Sequence, residues 1–382
     1  MTEWLTAAEA MARLGVRPQT LYAYVSRSRI EARPDPNEPR KSLYRAADVA
    51  RLKIRKTRGR KASSVAEDAI AWGEPVLASA ITTVAGGKLY YRGRDAAELA
   101  ETWTLENVAR LLRGGDGVKL KDRKAEPPPK LANPRARAFA ALAARAGSDP
   151  PARGRAPLAL AAEAASLMDV LADAVAGGTS TQGSIHARLA AAWACDRNGA
   201  DLIRRCLVLL ADHELNASTF AARVAASTGA SLAASALAGL SALSGPLHGG
   251  MAARVVNFVG EAGRVGAEPA VRARLVQGLP IPGFGHPLYP GGDPRARAML
   301  AGFEPPADFE AVREAAERLT GEAANVDFAL TALAERLGLP VDAAFLMFAT
   351  ARCAGWLAHA LEQLQTGHLI RPRARYVGPA PG

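Results

Sequence analysis

The sequence predicts a mainly α-helical protein with a small, separate module at its N-terminus. Beyond Ala136, Ala, Leu, Arg and Glu recur at helical spacing, and the runs end at glycine or proline. A chain of 382 residues with 49% hydrophobic content is long enough for two or three domains and a large core. Residues 1–61 hold 15 Lys and Arg against 6 Asp and Glu, a net +9 of the formal +11. A basic module followed by a nearly neutral helical body is therefore expected.

The N-terminal module is predicted to occupy residues 1–52 and to begin with two helices. Thr6 and Glu9 are spaced as in a capping box, so a helix is expected to start there and to end at Gly15. A second helix is expected over Pro18–Ser28, with its proline near the first turn. The order is helix, short glycine turn, helix.

The remainder of the module is expected to contain a hairpin or wing within Ile30–Tyr44 and a short closing helix over Ala46–Leu52. The whole resembles the winged helix-turn-helix modules of the MerR-like class. With the basic linker at 53–64, residues 1–61 carry charge suited to phosphate contacts, which makes nucleic-acid binding one hypothesis. The alternative is a regulatory, docking or oligomerisation module with a solvated basic face.

Composition argues against secretion, membrane insertion and metal binding. Cys195, Cys206 and Cys353 lie in apolar helical stretches without metal-ligand spacing, so reduced core thiols and no metal site are expected. The N-terminus lacks the pattern of a signal peptide, and the apolar stretch around Leu232–Leu243 is too short to cross a bilayer. A cytoplasmic protein without membrane contact is expected.

The helical body itself is predicted to begin with a hairpin over Val76–Tyr91.

Four short polar segments, called polar islands below, interrupt this helical body at residues 212–220, 244–250, 283–289 and 325–328. His213 follows an apolar helical run, whereas His248 and His286 lie in loops rich in glycine and proline, where a ligand can approach the backbone. Asp327 is predicted to be half-buried, which would raise its pKa and make it a better base. Each island also has a structural interpretation: a capped helix end, a rigid turn or, for Asp327, the N-cap of a helix over Phe328–Leu337.

Taken in order, the islands and their neighbours resemble the citrate synthase family from about Leu77 to Tyr376. The segments that carry the resemblance are Tyr90–Asp95, Asp212–Thr219, Gly245–Gly250, Gly283–His286, Asp293–Arg295, Asn325–Phe328, Arg352–Trp356 and Ile370–Arg373. Each segment alone is a weak signal, whereas the ordered set is highly specific.

The resemblance implies a condensation of acetyl-coenzyme A with oxaloacetate, followed by hydrolysis of the thioester, with no permanently bound cofactor and no metal. Asp327 would remove a methyl proton, His248 would donate a hydrogen bond to the thioester oxygen, and His286 would polarise and protonate the oxaloacetate carbonyl. These residue types suit the chemistry, because a carboxylate removes so weakly acidic a proton only if fixed donors neutralise the developing enolate.

The resemblance also implies how the dicarboxylate substrate is held. His213 would contact oxaloacetate, and Arg295 and Arg352 would bind its carboxylates, a role that suits the planar guanidinium. Arg371 would come from a neighbouring subunit, which implies a homodimer.

A large helical domain over 65–268 and 350–382 and a small one over 269–349 follow from the same resemblance, with closure of the small domain excluding water. The chain departs from the family pattern at Pro287 and Pro290, where many members carry basic residues. The contacts of the coenzyme A phosphates are therefore unassigned. The N-terminal module is a second departure, because ordinary citrate synthases lack it.

Two alternatives stay open. A 2-methylcitrate synthase would use propionyl-coenzyme A, which differs by one methylene and is discriminated by only about 1–3 kcal/mol. A DNA-binding regulator could retain the synthase-like body as a sensor. The presence of His248, His286 and Asp327 argues against a regulator, because a sensor needs no base.

Overall fold

The computed structural model describes residues 4–14, 16, 21, 24–25, 30–36, 38, 41–50, 77–115, 127–178, 183–374 and 376–379. The chain divides into two compact units, Met1–Ala78 and Ser79–Gly382.

The first unit contains a three-stranded antiparallel sheet and a helix around a small apolar core. Its elements are β1 (Trp4–Leu5), α1 (Ala7–Leu14), β2 (Ala32–Pro34) and β3 (Ser42–Arg45), with the strands in the order β1-β3-β2. The capping box is confirmed: the Glu9 N–H donates to Thr6 Oγ1 over 3.3 Å, and the Thr6 N–H donates to Glu9 Oε2 over 2.8 Å. The pairing of β2 with β3 confirms the predicted hairpin, and residues 46–50 are helical as expected.

Most of the predicted second helix, Pro18–Ser28, lies outside the described residues, as does the basic linker at 53–64. The winged helix-turn-helix architecture and nucleic-acid binding through residues 1–61 therefore stay predictions.

The second unit begins with a small antiparallel sheet and is otherwise helical, which confirms the mainly α-helical prediction. Its strands are β4 (Thr82–Ala85), β5 (Lys88–Tyr91) and β6 (Arg94–Asp95). Its helices are α2 (Ala96–Thr102), α3 (Leu105–Leu112), α4 (Pro134–Ser148), α5 (Pro157–Ala176), α6 (Ile185–Ala192), α7 (Arg197–Leu210), α8 (Ala217–Ser227), α9 (Leu232–Leu243), α10 (Met251–Val265), α11 (Ala267–Val276), α12 (Pro294–Leu300), α13 (Ala307–Thr320), α14 (Val326–Arg336) and α15 (Ala343–Thr366). The β4–β5 hairpin turns at Gly86 and Gly87, whose φ angles of +58° and +74° are reached by glycine without steric cost.

Helix α15 forms the centre of the main core and packs against α3, α5, α7, α8 and α9. Its contact with α9 is close, because a Cβ at Gly239 would lie 2.6 Å from the Trp356 ring. By length and composition α15 could cross a membrane, but 94% of its most apolar window is buried within the fold.

A second hydrophobic cluster forms where α10, α11, α13 and α14 pack together, with Phe258, Phe309 and Phe328 among its buried members. Its core extends from Val255 to Ala332, so that α10 packs with helices that the sequence assigns to the small domain. The boundaries at 269 and 349 stay a prediction.

Candidate active site

The loop that carries His286 pairs with the segment that leads into α14. The Asn325 N–H donates to the Gly283 carbonyl over 2.8 Å, and Asn325 Nδ2 donates to the Gly285 carbonyl over 3.0 Å. Asn325 is also the N-cap of α14, since its Oδ1 accepts the Asp327 N–H over 3.0 Å. The interpretation of Asp327 as the N-cap is therefore wrong. Asp327 lies in the first turn of α14, beside the loop of His286.

The Asp327 carboxyl group is half-buried, and this burial raises its pKa from 3.8 to about 6. The nearby charges of Arg295 and Arg352 lower the pKa, but they do not offset the burial and the negative charge of Asp293. The expected rise is confirmed. At neutral pH Asp327 is mostly ionised and close to its midpoint, as a general base requires.

This raised pKa makes the stability of the fold depend on pH. The folded protein binds the Asp327 proton more tightly than the unfolded chain, so the stabilisation is complete below about pH 3.8 and lost as the pH rises through about 6. We therefore expect Asp327→Asn to raise the melting temperature relative to the parent protein at pH 8, but not at pH 4. A melting temperature that is lowered at pH 8 would contradict the expectation.

His213 and His286 lie together with Tyr289. The two imidazole rings meet edge to face with centroids 5.3 Å apart, and His213 Nε2 lies 2.8 Å from the Tyr289 hydroxyl oxygen. Burial lowers the pKa of His286 to about 4 and that of His213 well below its usual value, and the charge of Arg295 acts in the same direction. His286 Nδ1 accepts the Leu288 N–H over 3.2 Å, so in the neutral ring the proton is assigned to Nε2. Both rings are neutral at pH 7.

His248 is held by Ser218 on α8. Its Nε2 lies 2.9 Å from the Ser218 hydroxyl, which also accepts the Trp356 indole N–H over 3.1 Å. The Ser218 hydroxyl proton has two acceptors in reach, His248 Nε2 and Asn216 Oδ1 at 2.7 Å. When it is donated to His248, the proton of the neutral ring lies on Nδ1. Burial lowers the pKa of His248 to about 4, and the ring meets Phe348 edge to face with centroids 5.8 Å apart.

The two arginines differ in their partners. Arg295 and Asp293 form a buried ion pair, in which Nε and Nη2 donate to the two carboxylate oxygens over 3.0 and 2.8 Å. Arg352 is 1% exposed and donates from Nε to the Leu210 carbonyl over 2.9 Å. Its Nη2 has no hydrogen-bond partner among the described residues. Burial lowers the pKa of Arg352 to about 10, so at neutral pH it is a buried cation with an unused donor.

Six of the seven predicted site residues thus occupy one neighbourhood. The charges of Arg295 and Arg352 both lower the pKa values of three of them, namely His213, His248 and Asp327. The seventh, Arg371, is exposed, and no contact in the described part of the chain joins it to the other six. The neighbouring Ile370 N–H donates to Ser227 Oγ over 3.1 Å.

Sequence reasoning missed three residues that hold the site together. Tyr289 contacts His213, Ser218 contacts His248, and Asp293 pairs with Arg295. Ser218 and Tyr289 lie within the polar islands, and Asp293 lies in a segment that carries the family resemblance. The signal was therefore present, but spacing along the chain does not reveal which side chains pair across the fold. In the described part of the chain, no group of three or more His, Cys, Asp and Glu side chains is arranged to hold a metal ion.

The cysteines are free thiols. Cys206 and Cys353 are buried, as predicted, whereas Cys195 is partly exposed. Burial raises the pKa of Cys353 to about 12 and that of Cys206 further, which makes both thiols poor nucleophiles.

Curated relatives match about half of this chain. Citrate synthase 2 of Bacillus subtilis is 40% identical over 193 residues, which is 47% of this chain and 51% of that protein. 2-Methylcitrate synthase 1 of Corynebacterium glutamicum is 36% identical over 195 residues, again 47% of this chain and 51% of that protein. The chain thus spans about half the length of the curated relatives that it matches.

Solved structures match over a greater length. The crystal structure of citrate synthase from Thermotoga maritima has a TM-score of 0.67 and 29% identity, covering 81% of this chain and 95% of that one. The citrate synthase of Thermoplasma acidophilum, solved in ternary complex with carboxymethyl coenzyme A and oxaloacetate, has the same fold, with a TM-score of 0.67 and 24% identity over 81% of this chain and 95% of that one. Residues 122–373, which include all seven predicted site residues, match the family described as citrate synthase, C-terminal domain, and the chain therefore belongs to the citrate synthase family.

Proposed function

We propose that this chain is an acyltransferase that condenses acetyl-coenzyme A with oxaloacetate and water to give citrate and coenzyme A. One observation carries the proposal: a half-buried carboxylate with a pKa near 6, Asp327, lies in a site whose three histidines are neutral. A base and uncharged donors in one water-poor site are the requirements of enolate chemistry.

In the first step Asp327 takes a proton from the acetyl methyl group, and the electron pair of the C–H bond moves towards the thioester oxygen. A neutral His248 donates a hydrogen bond from Nδ1 to that oxygen, so that an enol or enolate forms. This role requires that Ser218 donate its hydroxyl proton to Nε2 rather than to Asn216 Oδ1, because that donation holds the ring proton on Nδ1.

In the second step the enol carbon attacks the ketone carbon of oxaloacetate. A carbon–carbon bond forms, and the ketone oxygen receives a proton from His286, whose Nε2 carries the proton in the neutral ring. Water then cleaves the thioester of the condensed product and releases the coenzyme A thiol. No permanently bound cofactor takes part.

Binding of oxaloacetate, a dianion, is supported by Arg352. A buried guanidinium with an unused donor is unfavourable until an acceptor arrives, and a carboxylate provides both charge and geometry. Arg295 is balanced by Asp293 through Nε and Nη2, so Nη1 is the nitrogen left for a second carboxylate. His213 lies beside His286 and completes the proposed contacts.

We place Arg371 in the site of a neighbouring subunit, as part of a homodimer. Its support is the resemblance of its segment to the family pattern, together with its exposure in a chain whose other six proposed residues are grouped. The proposed closure of residues 269–349 over the substrates would exclude water from the enol.

A second candidate is the same reaction with propionyl-coenzyme A. The relatives in Corynebacterium glutamicum that bear the name 2-methylcitrate synthase favour it. Their matches are somewhat weaker than those of the relatives that bear the name citrate synthase, so acetyl-coenzyme A is the first choice.

The deciding experiment measures thiol release from acetyl-, propionyl- and butyryl-coenzyme A in the presence and absence of oxaloacetate. We expect release that depends on oxaloacetate, with the greatest kcat/KM for the acetyl donor. A greater kcat/KM for the propionyl donor would establish the second candidate. No release with any donor would refute both.

A further inference from the structure

A line of hydrogen-bonded polar side chains runs through the core and ends at Asp212, the residue before His213. It consists of Arg223 on α8, His359 on α15 and Asp212 at the end of α7, which are 1%, 0% and 0% exposed. Arg223 Nη1 lies 3.1 Å from His359 Nδ1, and His359 Nε2 lies 3.1 Å from Asp212 Oδ2. None of the three has a part in the reaction proposed above.

The protonation states along this line follow from its ends. A guanidinium only donates hydrogen bonds, so His359 Nδ1 accepts from Arg223. The ring is then neutral and its proton lies on Nε2, from which it is donated to Asp212. Burial alone would raise the pKa of Asp212, but His359 and the charge of Arg352 hold it below its ordinary value. The line therefore ends in a carboxylate directly before His213.

The outer end of the line is anchored. Arg223 Nε donates to Gln363 Oε1 over 3.0 Å, and Nη1 donates to Glu362 Oε2 over 2.6 Å. The other oxygen of Glu362 accepts the Ala80 N–H over 2.8 Å. Arg223 is thus balanced in charge and held by several hydrogen bonds. Its guanidinium therefore has a fixed position from which it donates to His359.

The inner end lies in backbone that neither a helix nor a sheet holds in place. Helix α7 ends at Leu210 and α8 begins at Ala217, and between them Glu214 has a φ of +49°, an uncommon value for a residue with a side chain. The Tyr91 hydroxyl lies 3.1 Å from both the Val208 and Leu209 carbonyl oxygens, which share its one proton, and it accepts the Asp212 N–H over 3.4 Å. Side chains from distant elements therefore determine the position of this segment.

A buried ionic network is weak evidence for stability, because apolar residues of the same volume often stabilise a core as well or better. The network here ends at a carboxylate next to a substrate-binding candidate. Directional hydrogen bonds can hold the groups that they join in one orientation, and this is a role that such a network can fill.

We propose that Arg223, His359 and Asp212 are positioning residues, which hold the segment carrying His213 in the orientation that binds the dicarboxylate substrate, without touching that substrate. The part that concerns the substrate rests on the function proposed above. The line of hydrogen bonds from Arg223 to Asp212 does not depend on that function.

The test compares three variants of the full-length protein with the parent. His359→Leu removes both hydrogen bonds, whereas His359→Gln keeps one donor and one acceptor. Arg188→Gln is the control for the loss of a buried polar interaction, because Arg188 is 6% exposed and pairs with Asp173, and neither residue belongs to the line of Arg223, His359 and Asp212. The Kd of oxaloacetate is measured by calorimetry, the KM of acetyl-coenzyme A by thiol release, and the melting temperature by fluorescence.

We expect His359→Leu to weaken oxaloacetate binding by about tenfold or more, while the KM of acetyl-coenzyme A changes by less than about twofold. His359→Gln should restore most of the affinity. Arg188→Gln should lower the melting temperature and leave the Kd unchanged. Equal losses for both substrates, a glutamine variant no better than leucine, or a Kd that changes as much in Arg188→Gln would each overturn the positioning role.

A second measurement does not depend on activity or on the folding of any variant. ¹⁵N NMR of the parent should place the proton of the neutral His359 ring on Nε2, the nitrogen that faces Asp212, as the hydrogen bonds require. A charged ring, or a proton on Nδ1, would show that the line of hydrogen bonds from Arg223 to Asp212 does not form. If the parent neither binds oxaloacetate nor releases thiol, the proposed function fails. The NMR result then decides by itself whether Arg223, His359 and Asp212 form the line of hydrogen bonds.

Discussion

Replacing Asp327 with asparagine is expected to lower kcat for thiol release by about 10²–10⁴-fold, the usual contribution of a general base. The amide has the shape of the carboxyl group and can retain its place in the first turn of α14, but it cannot accept the methyl proton. Oxaloacetate binding should change little, because the arginines and histidines proposed to hold it remain.

The measurement is kcat with saturating acetyl-coenzyme A and oxaloacetate, together with the Kd of oxaloacetate. Asp308→Asn is the control, since Asp308 is an exposed acid in the first turn of α13. Full activity in Asp327→Asn would remove Asp327 as the base. If Asp308→Asn lowered kcat as much, the effect would come from removing an acid at the start of a helix and not from removing the base.

The acid limb of the parent's kcat/KM profile should fall near pH 6, where Asp327 becomes protonated. The histidines should not contribute above this pH, because burial lowers the pKa values of His248 and His286 to about 4. A limb that stays near pH 6 in Asp327→Asn would assign it to another group.

Replacing Gly355 with alanine is expected to destabilise the fold by about 1–3 kcal/mol or more, the range for overpacking a well-filled core. A Cβ at this position of α15 would overlap the Asp212 carboxylate and lie 2.6 Å from the Ala211 carbonyl oxygen. Neither atom can move freely, since that carbonyl accepts the Gly355 N–H over 3.1 Å and the carboxylate is buried. Relief would require α15 to move away from the segment that carries His213.

Gly260→Ala is the matched control for this variant. Gly260 also lies in a helix, α10, but it is exposed, and an added Cβ would meet nothing within 4 Å. Alanine there should raise the free energy of unfolding by about 0.5–1 kcal/mol, because glycine loses more conformational entropy on folding. Urea unfolding of both variants measures the contrast. If both variants changed the free energy of unfolding in the same direction and by the same amount, the close approach at Gly355 would be absent.

Several elements could be predicted because their signals are local. The capping box at Thr6, the hairpin that turns at Gly86 and Gly87 and the long helices after Ala136 all depend on residues a few positions apart. The first-turn position of Asp327 was less secure, because Asn325 and Asp327 are both good N-caps and only the structure selects Asn325.

The predicted site shows the same division. Its seven residues were identified from ordered motifs, yet the motifs did not indicate that Ser218 serves both His248 and Trp356 or that Tyr289 contacts His213. His359 carried a usable signal, since it follows Arg352 by two helical turns and therefore lies on the same face of α15. Its link to Asp212 depends on how α15 packs against the end of α7.

The sequence by itself determined the helical body, the hairpin and the chemical identity of the site residues, because these depend on residue type and short spacing. Only the tertiary structure decided that Asp327 has a pKa near 6, that the histidines are neutral and that Arg352 retains an unused donor. Those properties arise from burial and from charges a few ångströms away, and both depend on segments that are distant in the chain and meet only when it folds.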